Sequence, residues 1–353
     1  MPKLLNAMEL KKTNDVKKRR NFMKKMVIGV AAGLTPDFGL HAQNFNKESM
    51  KEKSFVPVML TPYKKDKSVD YKGLKALTDH YLEAGARGFF ANCLSSEMYD
   101  LSPEERLKVT KTVVKQVNGR YPVVATGSFG KNTFEMAEFS EKLVDTGVDA
   151  VILITSHFAE PTETDEIMMR RLEAYLNQTK SMALGTYECP SPYKRILSLE
   201  VLDFLLDTGR LVYHKDTTED IEHIRKKLHR SQGSDLGIYN AHIGSAVASL
   251  RAGGAGLSPI AGNYYPEVIA WLCQHADNPE KRAEVDWLQE KLREMESKIT
   301  VNYQLSSRYY LNKSGLNLEL RSRRAEQPLS SGHQQQIDLA FREVQDWKER
   351  LGI

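Results

Sequence analysis

The sequence predicts an α/β protein, namely a (β/α)8 TIM barrel with a C-terminal helical extension. Eight short apolar runs alternate with single amphipathic stretches, and eight parallel strands are the number that closes such a barrel. The chain has 353 residues, which is long enough because the barrel typically needs about 250. A doubly wound open sheet is the competing architecture. It is disfavoured because residues 60–63, which follow the first run, lack a glycine-rich phosphate-binding pattern.

The apolar runs have the length of buried strands, and the stretches between them have the spacing of amphipathic helices. The predicted strands are residues 55–60, 88–93, 122–126, 150–155, 183–187, 211–214, 236–239 and 254–258. The predicted helices between them include residues 71–84, 102–117, 133–146, 165–179 and 199–206. Ser102, with Pro103 next to it and Glu105 in the first turn, predicts a capping box. Thr133 is expected to cap the following helix.

The barrel is predicted to occupy residues 55–265, and residues 266–353 form the extension. Helical patterns in the extension cover residues 266–275, 280–310 and 334–351. No linker rich in proline or serine separates the two parts of the sequence, and no internal repeat is found. We therefore expect one domain with a helical extension rather than two independent units.

Residues 1–42 have the pattern of an export signal. They carry nine Lys and Arg against three Asp and Glu, then an apolar stretch at 26–34 and a small residue, Ala42, at the exit. Residues 18–24 resemble the twin-arginine signal pattern. The apolar stretch is far shorter than the ~20 residues of a stable membrane span. We expect export to the bacterial periplasm, with residues 43–54 as a linker; a basic disordered arm is the alternative.

The net charge of +4 is explained by this N-terminal segment. The segment carries +6 by itself, which leaves −2 for residues 43–353. The basic balance alone suggests nucleic-acid binding, which predicts an affinity for DNA that falls steeply with salt. A folded part that is slightly acidic does not support this hypothesis. No nucleic-acid partner is therefore expected.

The three cysteines are widely spaced and form no zinc or CxxC pattern. Cys93 and Cys189 each close an apolar run, so a disulfide between neighbouring strand ends is one possibility in an oxidising compartment. Free buried thiols are the favoured prediction. No metal site is expected either, because His214, His223, His229 and His242 lack ligand spacing.

Lys215 is the leading catalytic candidate because barrel active sites lie at the C-terminal ends of strands. The period of two places Tyr213 and Lys215 on one face of strand six and His214 on the other. A lysine at the inner end of a barrel strand is partly desolvated, which lowers its pKa and frees the amine to form a Schiff base with a ketone. A structural or surface lysine is the alternative, since lysines at strand ends are common.

Several segments, taken in chain order, resemble the dihydrodipicolinate synthase / N-acetylneuraminate lyase family. They are residues 55–63 with Val69 and Asp70, residues 92–105, 127–133 and 147–150, Lys215 with Asp216, residues 253–258, and Asn263. The resemblance runs from about residue 55 to the C-terminal helices. It implies a class I, Schiff-base lyase or synthase that acts on pyruvate or another 2-keto acid. It also implies a homotetramer or homodimer, and no cofactor is expected.

The resemblance also assigns roles to individual residues. Lys215 takes the position of the imine-forming lysine. Residues 93–97 take the place of the family's Gly-Thr-Thr-Gly-Glu loop, which binds the keto-acid carboxylate, with Leu94 at the first hydroxyl position and Ser95 at the second. Ser96 either supplies a compensating hydroxyl or caps its own backbone. Glu188 and Ser258, at other strand mouths, are further candidates for substrate contacts.

Two departures from the family pattern bear on catalysis. Phe158 fills the position of a proton-relaying tyrosine, so His157 is a candidate acid/base, with a loop or packing role as the alternative. Tyr187 is an alternative proton relay. Residues 187–191 match the family's Tyr-Asn-x-Pro-Ser segment. In dihydrodipicolinate synthases an arginine follows the serine of this segment, whereas here Pro192 follows Ser191 and Arg195 lies three residues further on. A role in lysine biosynthesis is therefore doubtful on sequence grounds.

The leading hypothesis is an exported 2-keto-acid lyase, with cleavage of a sugar acid as one form of the reaction. The alternative is a family member of altered activity that binds a keto acid or sugar acid without turning it over. The changes at Leu94, Phe158 and Pro192 motivate this alternative.

Overall fold

The computed structural model describes residues 52–179, 182–325 and 327–353. The predicted export signal, residues 1–42, lies outside the described residues, as do residues 43–51 of the predicted linker. Within the described part of the chain, no helix is both long and apolar enough to cross a membrane.

The described residues form one sheet of eight parallel strands that closes on itself. The strand order is β1-β8-β7-β6-β5-β4-β3-β2. The segment that follows β1 closes the sheet against β2, since Phe90 N–H donates to Pro57 O at 3.0 Å and Met59 N–H donates to Phe90 O at 3.1 Å. The strands are β1 (Ser54–Phe55), β2 (Phe89–Asn92), β3 (Val123–Thr126), β4 (Ala150–Ile154), β5 (Leu184–Tyr187), β6 (Leu211–Asp216), β7 (Gly237–Asn240) and β8 (Gly256–Leu257). The predicted barrel-like α/β fold is confirmed.

Helices follow the strands in alternation and then continue into the extension. They are α1 (Tyr71–Glu83), α2 (Pro103–Val117), α3 (Thr133–Val144), α4 (Asp165–Leu176), α5 (Leu199–Leu206), α6 (Ile221–Arg230), α7 (Ala246–Arg251), α8 (Pro266–His275), α9 (Arg282–Ile299), α10 (Tyr303–Lys313) and α11 (Ser331–Leu351). Helix α8 follows β8 and packs against β1, which is the place of the eighth barrel helix. Helices α9–α11 complete the C-terminal extension.

One predicted helix of the extension is two helices. The pattern at 280–310 breaks between α9 and α10, where Asn302 has a φ of 51°. Asparagine tolerates this left-handed conformation better than most residues because its short polar side chain can hydrogen-bond locally. The chain therefore forms two helices here, α9 and α10. The helical spacing of the apolar residues continues through the break, so the sequence pattern does not reveal it.

Of the two predicted helix caps, the one at Ser102 is confirmed and the one at Thr133 is wrong. Ser102 accepts a hydrogen bond from Glu105 N at 3.2 Å, and the Glu105 carboxylate accepts from Ser102 N at 2.9 Å, so the capping box is present. The cap of α3 is Asn132 and not Thr133, because the Asn132 side chain accepts from the N–H groups of residues 134 and 135. An amide oxygen one residue earlier satisfies the same free donors.

The core has two layers, one inside the barrel and one between the barrel and the helices. Inside, Phe90 contacts Tyr187 and Tyr213 edge-on, and Tyr213 stacks on Tyr239 with ring centroids 4.6 Å apart. The aromatic rings therefore fill the barrel beneath its C-terminal mouth. All three cysteines are buried and free, as predicted.

Candidate active site

A cavity of about 530 Å³ opens at the C-terminal ends of the strands. Part of its wall comes from the strand ends and the loops after them, and part from the C-terminal extension. The residues that line it are Leu94, Ser95, Tyr187, Pro190, Lys194, Lys215, Thr217, Glu219, Ala241, His242, Ile260, Glu296, Asn302, Tyr303, Gln304, Arg324 and Ala325. The position matches the end of the barrel where catalytic groups are expected.

Lys215 lies in this cavity near the end of β6. Its side chain and backbone are only 4% exposed, and Nζ lies 4.5 Å from the centre of the Tyr187 ring and 6.0 Å from that of Phe90. Burial lowers the pKa of Lys215 because the charged ammonium is desolvated. Among the described residues, no carboxylate forms an ion pair with Nζ. These surroundings favour the neutral amine, which is the nucleophilic form.

Tyr187 stands beside Lys215 at the end of β5. Residues Tyr187 and Lys215 are register partners on neighbouring strands, so their side chains lie on the same inner face. Burial raises the pKa of Tyr187 well above its ordinary value. The phenol therefore stays protonated at neutral pH and can donate a proton to a group bound at Lys215.

The loop after β2 carries the two predicted serines, and the structure separates their roles. Ser95 lines the cavity. Ser96 does not, because its hydroxyl donates to Met59 O at 2.7 Å and accepts from Cys93 N at 3.0 Å. The geometry of Ser96 corresponds to the backbone-capping alternative and not to a compensating substrate contact.

Glu97 fastens this loop to the C-terminal extension. It is fully buried and has a φ of 57°. Its carboxylate accepts from Arg308 Nη2 at 2.9 Å, from Ser322 Oγ at 2.8 Å and from Arg323 N at 2.6 Å. Arg308 also donates to Thr61 O at 2.7 Å, in the loop after β1. The buried pair of Arg308 with Glu97 thus ties the extension to the loop after β1 and to the loop after β2, and the second of these loops lines the cavity.

His157 and Phe158 are not among the residues that line the cavity. The His157 Nδ1 atom contacts the carbonyl oxygen of Ser128, and Nε2 lies 3.0 Å from the Tyr99 hydroxyl. Burial lowers the pKa of His157. Phe158 is fully buried and packs edge-on against Tyr175 of α4. The structure therefore places neither residue where it can exchange a proton with a ligand on Lys215, in contrast to the acid/base prediction for His157.

Glu188 and Ser258, which were predicted substrate contacts, are also turned away from the cavity. Glu188 is fully buried and accepts from Leu197 N and Thr217 N, both at 2.8 Å. The Ser258 hydroxyl donates to Val56 O at 2.8 Å and lies 3.3 Å from the Tyr213 hydroxyl. Both side chains therefore hold backbone segments in place. Glu188 reaches the cavity only indirectly, since it positions Thr217 in the wall.

A buried polar cluster lies on the outer face of β6, behind Lys215. Glu188, His214 and Asp216 place ligand atoms within 4.8 Å of one another, which is a spacing that can hold a metal ion. The ammonium of Lys227, from α6, donates to Glu188, to Asp216 Oδ2 at 2.7 Å and to His214 Nε2 at 3.0 Å. The three ammonium hydrogens therefore satisfy the three groups, and the cation at this place is a lysine.

The charges of this cluster depend on one another. Burial alone raises the pKa of Asp216, but the neighbouring His214 ring and the ammonium of Lys227 outweigh it and hold that pKa far below its usual range. The Nδ1 atom of His214 lies 2.8 Å from Thr186 Oγ1, so both ring nitrogens are engaged.

Several cavity residues were not found by the sequence analysis. Arg195, the predicted substitute for a substrate-binding arginine, instead pairs with Asp165 at 2.8 Å at the start of α4. The arginine that does line the cavity is Arg324, which comes from the extension. Tyr303 and Gln304 also come from the extension and contact Ser95. No local sequence signal marks these residues, because they reach the cavity only through long-range packing.

Comparison with known proteins connects this site to one family. The model of the Dihydrodipicolinate synthetase family matches residues 51–343. The chain is 28% identical to a 4-hydroxy-tetrahydrodipicolinate synthase of Cellvibrio japonicus over 218 residues, which cover 62% of this chain and 73% of that protein. It is 29% identical to the synthase of the same name of Bacillus velezensis over 203 residues, covering 58% of this chain and 68% of that protein.

Solved structures share the fold. A chloride-inhibited dihydrodipicolinate synthase from Acinetobacter baumannii, complexed with pyruvate, superposes with a TM-score of 0.73 at 22% identity, covering 84% of this chain and 99% of that one. A prophage protein of the dihydrodipicolinic acid synthase family from E. coli K12, in complex with pyruvate, superposes with a TM-score of 0.72 at 20% identity. That superposition covers 83% of this chain and 98% of the other.

Proposed function

Because the chain belongs to the dihydrodipicolinate synthetase family, we propose that it is a lyase or synthase that forms a Schiff base with pyruvate or another 2-keto acid. The observation that carries the proposal is Lys215, a buried amine in the cavity without a carboxylate partner among the described residues. Most buried lysines are paired, so an unpaired one at the mouth of a barrel calls for a chemical explanation.

The reaction begins at the Lys215 amine. The nitrogen lone pair attacks the ketone carbon, and the carbonyl oxygen leaves as water after it has received two protons. Tyr187, protonated and adjacent, supplies one of these protons, and Ser95 binds the keto-acid carboxylate. For a substrate with a hydroxyl group on the carbon that becomes the aldehyde, Tyr187, which has given up its proton, takes the proton of that hydroxyl. The carbon–carbon bond breaks and its electron pair moves to the protonated imine, which gives an enamine and an aldehyde. Protonation of the enamine carbon and addition of water to the imine release the keto acid and return the Lys215 amine. The reverse sequence joins the two.

Borohydride trapping tests this mechanism. Reduction in the presence of pyruvate is expected to add one pyruvate-derived group to Lys215, detected by mass spectrometry of the peptide. Lys215→Arg is expected to give no adduct, whereas Lys226→Met, an exposed lysine of α6, is expected to label like the parent protein. An unlabelled Lys215 in the parent protein would remove the Schiff-base mechanism and leave the alternative of a binding protein.

Cleavage of a sugar acid is the form of the reaction that the cavity rim supports best. The rim carries charged, imidazole and amide side chains, namely those of Lys194, Glu219, His242, Glu296, Asn302, Gln304 and Arg324. Such a rim offers donors and acceptors to a chain of hydroxyl groups. Release of pyruvate from a panel of sugar acids, measured with lactate dehydrogenase, is the assay.

A second candidate is 4-hydroxy-tetrahydrodipicolinate synthase activity, which the names of the curated relatives favour. The commitment of Arg195 to Asp165 weighs against it, because that arginine is not available to a second substrate. Condensation of pyruvate with the aldehyde substrate of those synthases distinguishes the two reactions. Activity with that aldehyde and none with sugar acids would reverse the order of preference.

We also propose that the protein is exported by a twin-arginine route, on the basis of the charge pattern of residues 1–42. Replacing both Arg19 and Arg20 by lysine is expected to keep the protein in the cytoplasm of a bacterial host. Cell fractionation measures this, and a variant that still reaches the periplasm contradicts the route. The homotetramer or homodimer remains a proposal that light scattering of the purified protein tests.

A further inference from the structure

Tyr303, from the first turn of α10, makes a hydrogen bond to the hydroxyl of Ser95, the candidate carboxylate-binding group of the cavity. Its hydroxyl lies 2.9 Å from Ser95 Oγ, and both residues line the cavity. The Tyr303 hydroxyl also contacts the Asn263 side chain, which follows β8. Tyr303 therefore connects the barrel core to Ser95, and the direction of each hydrogen in this chain can be worked out from its buried end.

Asn263 determines the direction, because its amide has only one orientation that satisfies its partners. Its Nδ2 atom lies 2.8 Å from Val58 O, and a carbonyl oxygen can only accept. A flipped amide would set two acceptors against each other. The other end, Oδ1, accepts from the Tyr81 hydroxyl. The second hydrogen of Nδ2 is therefore directed to the Tyr303 oxygen.

The Tyr303 hydroxyl accepts from Asn263 and must donate its single hydrogen to Ser95 Oγ. Ser95 Oγ is then an acceptor towards Tyr303, so its own hydrogen is free for another partner. In the parts of the chain that the structure describes, no acceptor for this hydrogen is found. The backbone carbonyl of Ser95 is already occupied by Gln304 Nε2 at 3.2 Å.

We infer that Tyr303 is a positioning residue that makes the Ser95 hydroxyl an obligatory donor into the cavity, where it meets an acceptor oxygen of the ligand. A serine hydroxyl normally rotates and can serve as donor or acceptor. Here the chain Asn263, Tyr303, Ser95 removes that choice, and successive hydrogen bonds in a buried chain strengthen one another. The inference rests on the proposed function for the identity of the ligand, a 2-keto acid.

The arrangement also compensates for a change in the loop. Leu94, which precedes Ser95, has no hydroxyl to offer, and the Ser96 hydroxyl donates to Met59 O, so Ser95 supplies the one hydroxyl of residues 94–96 that is directed into the cavity. A donor whose direction is set beforehand loses less rotational freedom when the ligand binds than one that must first be ordered. Tyr303, from the extension, thus orients the Ser95 hydroxyl, which compensates for the hydroxyl that is missing at Leu94.

The test is a double-mutant cycle on pyruvate affinity, measured by calorimetry with the full chain. Ser95→Ala is expected to weaken binding about 10-fold or more, because it removes a hydrogen bond to a charged group. Tyr303→Phe is expected to weaken binding about 3- to 10-fold, since the Ser95 hydroxyl survives but is no longer directed. In the Ser95→Ala background, Tyr303→Phe is expected to have no further effect.

Tyr309→Phe is the matched control, because Tyr309 lies on the same helix and bonds Asp338 at 3.1 Å outside the cavity. It is expected to leave pyruvate affinity unchanged. Additive effects of Ser95→Ala and Tyr303→Phe would overturn the inference and identify Tyr303 as a merely structural residue. Failure of the parent protein to bind pyruvate overturns both proposals, whereas binding without a borohydride adduct overturns only the Schiff-base function.

Discussion

Two buried lysines lie on opposite faces of β6, and their surroundings differ completely. Lys215 is on the inner face, against aromatic rings, and pairs with no carboxylate among the described residues. Lys227 reaches the outer face from α6 and donates to two carboxylates and an imidazole. Burial is almost complete for both. The two lysines therefore differ in their partners and not in their burial, and the proposed nucleophile is the one without a carboxylate partner among the described residues.

The largest expected effect comes from removing the unpaired amine. Lys215→Met is expected to abolish imine formation and to lower kcat/KM by about three orders of magnitude or more, because the covalent step is lost. The folded state is expected to be as stable as the parent or slightly more so, since a buried amine is replaced by an apolar chain. Thermal unfolding and steady-state kinetics measure the two outcomes. A strongly destabilised variant would contradict the contrast between the two lysines.

Replacing Lys227, the paired lysine, is expected to destabilise the folded state, in contrast to replacing Lys215. Lys227→Met leaves Glu188 and Asp216 buried without their cation, so we expect a loss of about 3–5 kcal/mol in the free energy of unfolding. Denaturant titration measures it, with the exposed neighbour Lys226→Met as the control. If Lys227→Met unfolds like the control, the cluster does not depend on its cation.

Tyr187 sharpens the comparison on the inner face. Tyr187→Phe keeps the ring beside Lys215 but removes the proton donor, so kcat is expected to fall about 10²-fold while borohydride trapping with pyruvate is retained at a slower rate. Single-turnover trapping separates the two rates. An unchanged kcat would show that the proton comes from another group. Tyr309→Phe, which removes a phenol outside the cavity, is the control and is expected to leave both rates unchanged.

The smallest effect is the dependence of stability on pH, which has the same sign for the two faces but falls in different pH ranges. The pKa of Lys215 is lowered, so the unfolded chain takes up this proton first, and stability declines as pH falls from about 10.5 to the lowered pKa. The pKa of Asp216 is also lowered, and its contribution to stability is lost only as pH falls below about 3.8. Trapping rate is expected to rise with pH and to level off below pH 10.5. A midpoint at or above 10.5 would contradict the buried, unpaired amine.

The barrel and the position of Lys215 follow from local patterns. Alternation along β6 places Tyr213 and Lys215 inward and His214 outward, and the order of apolar runs is sufficient for eight parallel strands. The fate of Glu188 could not be predicted in this way. Its position at the mouth of β5 suggested a substrate contact, but the ammonium that holds it comes from α6. A pairing of this kind depends on how a helix packs on the strands, which single-sequence periodicity does not encode.

The C-terminal wall of the cavity was missed for a related reason. The helical pattern of residues 280–310 is nearly continuous, and the left-handed Asn302 that divides it has no strong local signature. Only after the chain turns there does Tyr303 meet Ser95. Phe158, which fills the position of the family's proton-relaying tyrosine, packs against Tyr175 of α4 and is not among the residues that line the cavity.

The turn at Asn302 has a consequence for how such a protein can change over time. Lys215 and Tyr187 belong to the strands, whereas Tyr303, Gln304 and Arg324 belong to the C-terminal extension. The extension contacts the barrel through apolar packing, hydrogen bonds and the buried pair of Arg308 with Glu97. Substitutions in that segment can alter which molecules are admitted while the reacting atoms stay in place. The ribosome also completes the barrel strands before it adds this wall, so the wall of the cavity is complete only after residue 325 has been synthesised.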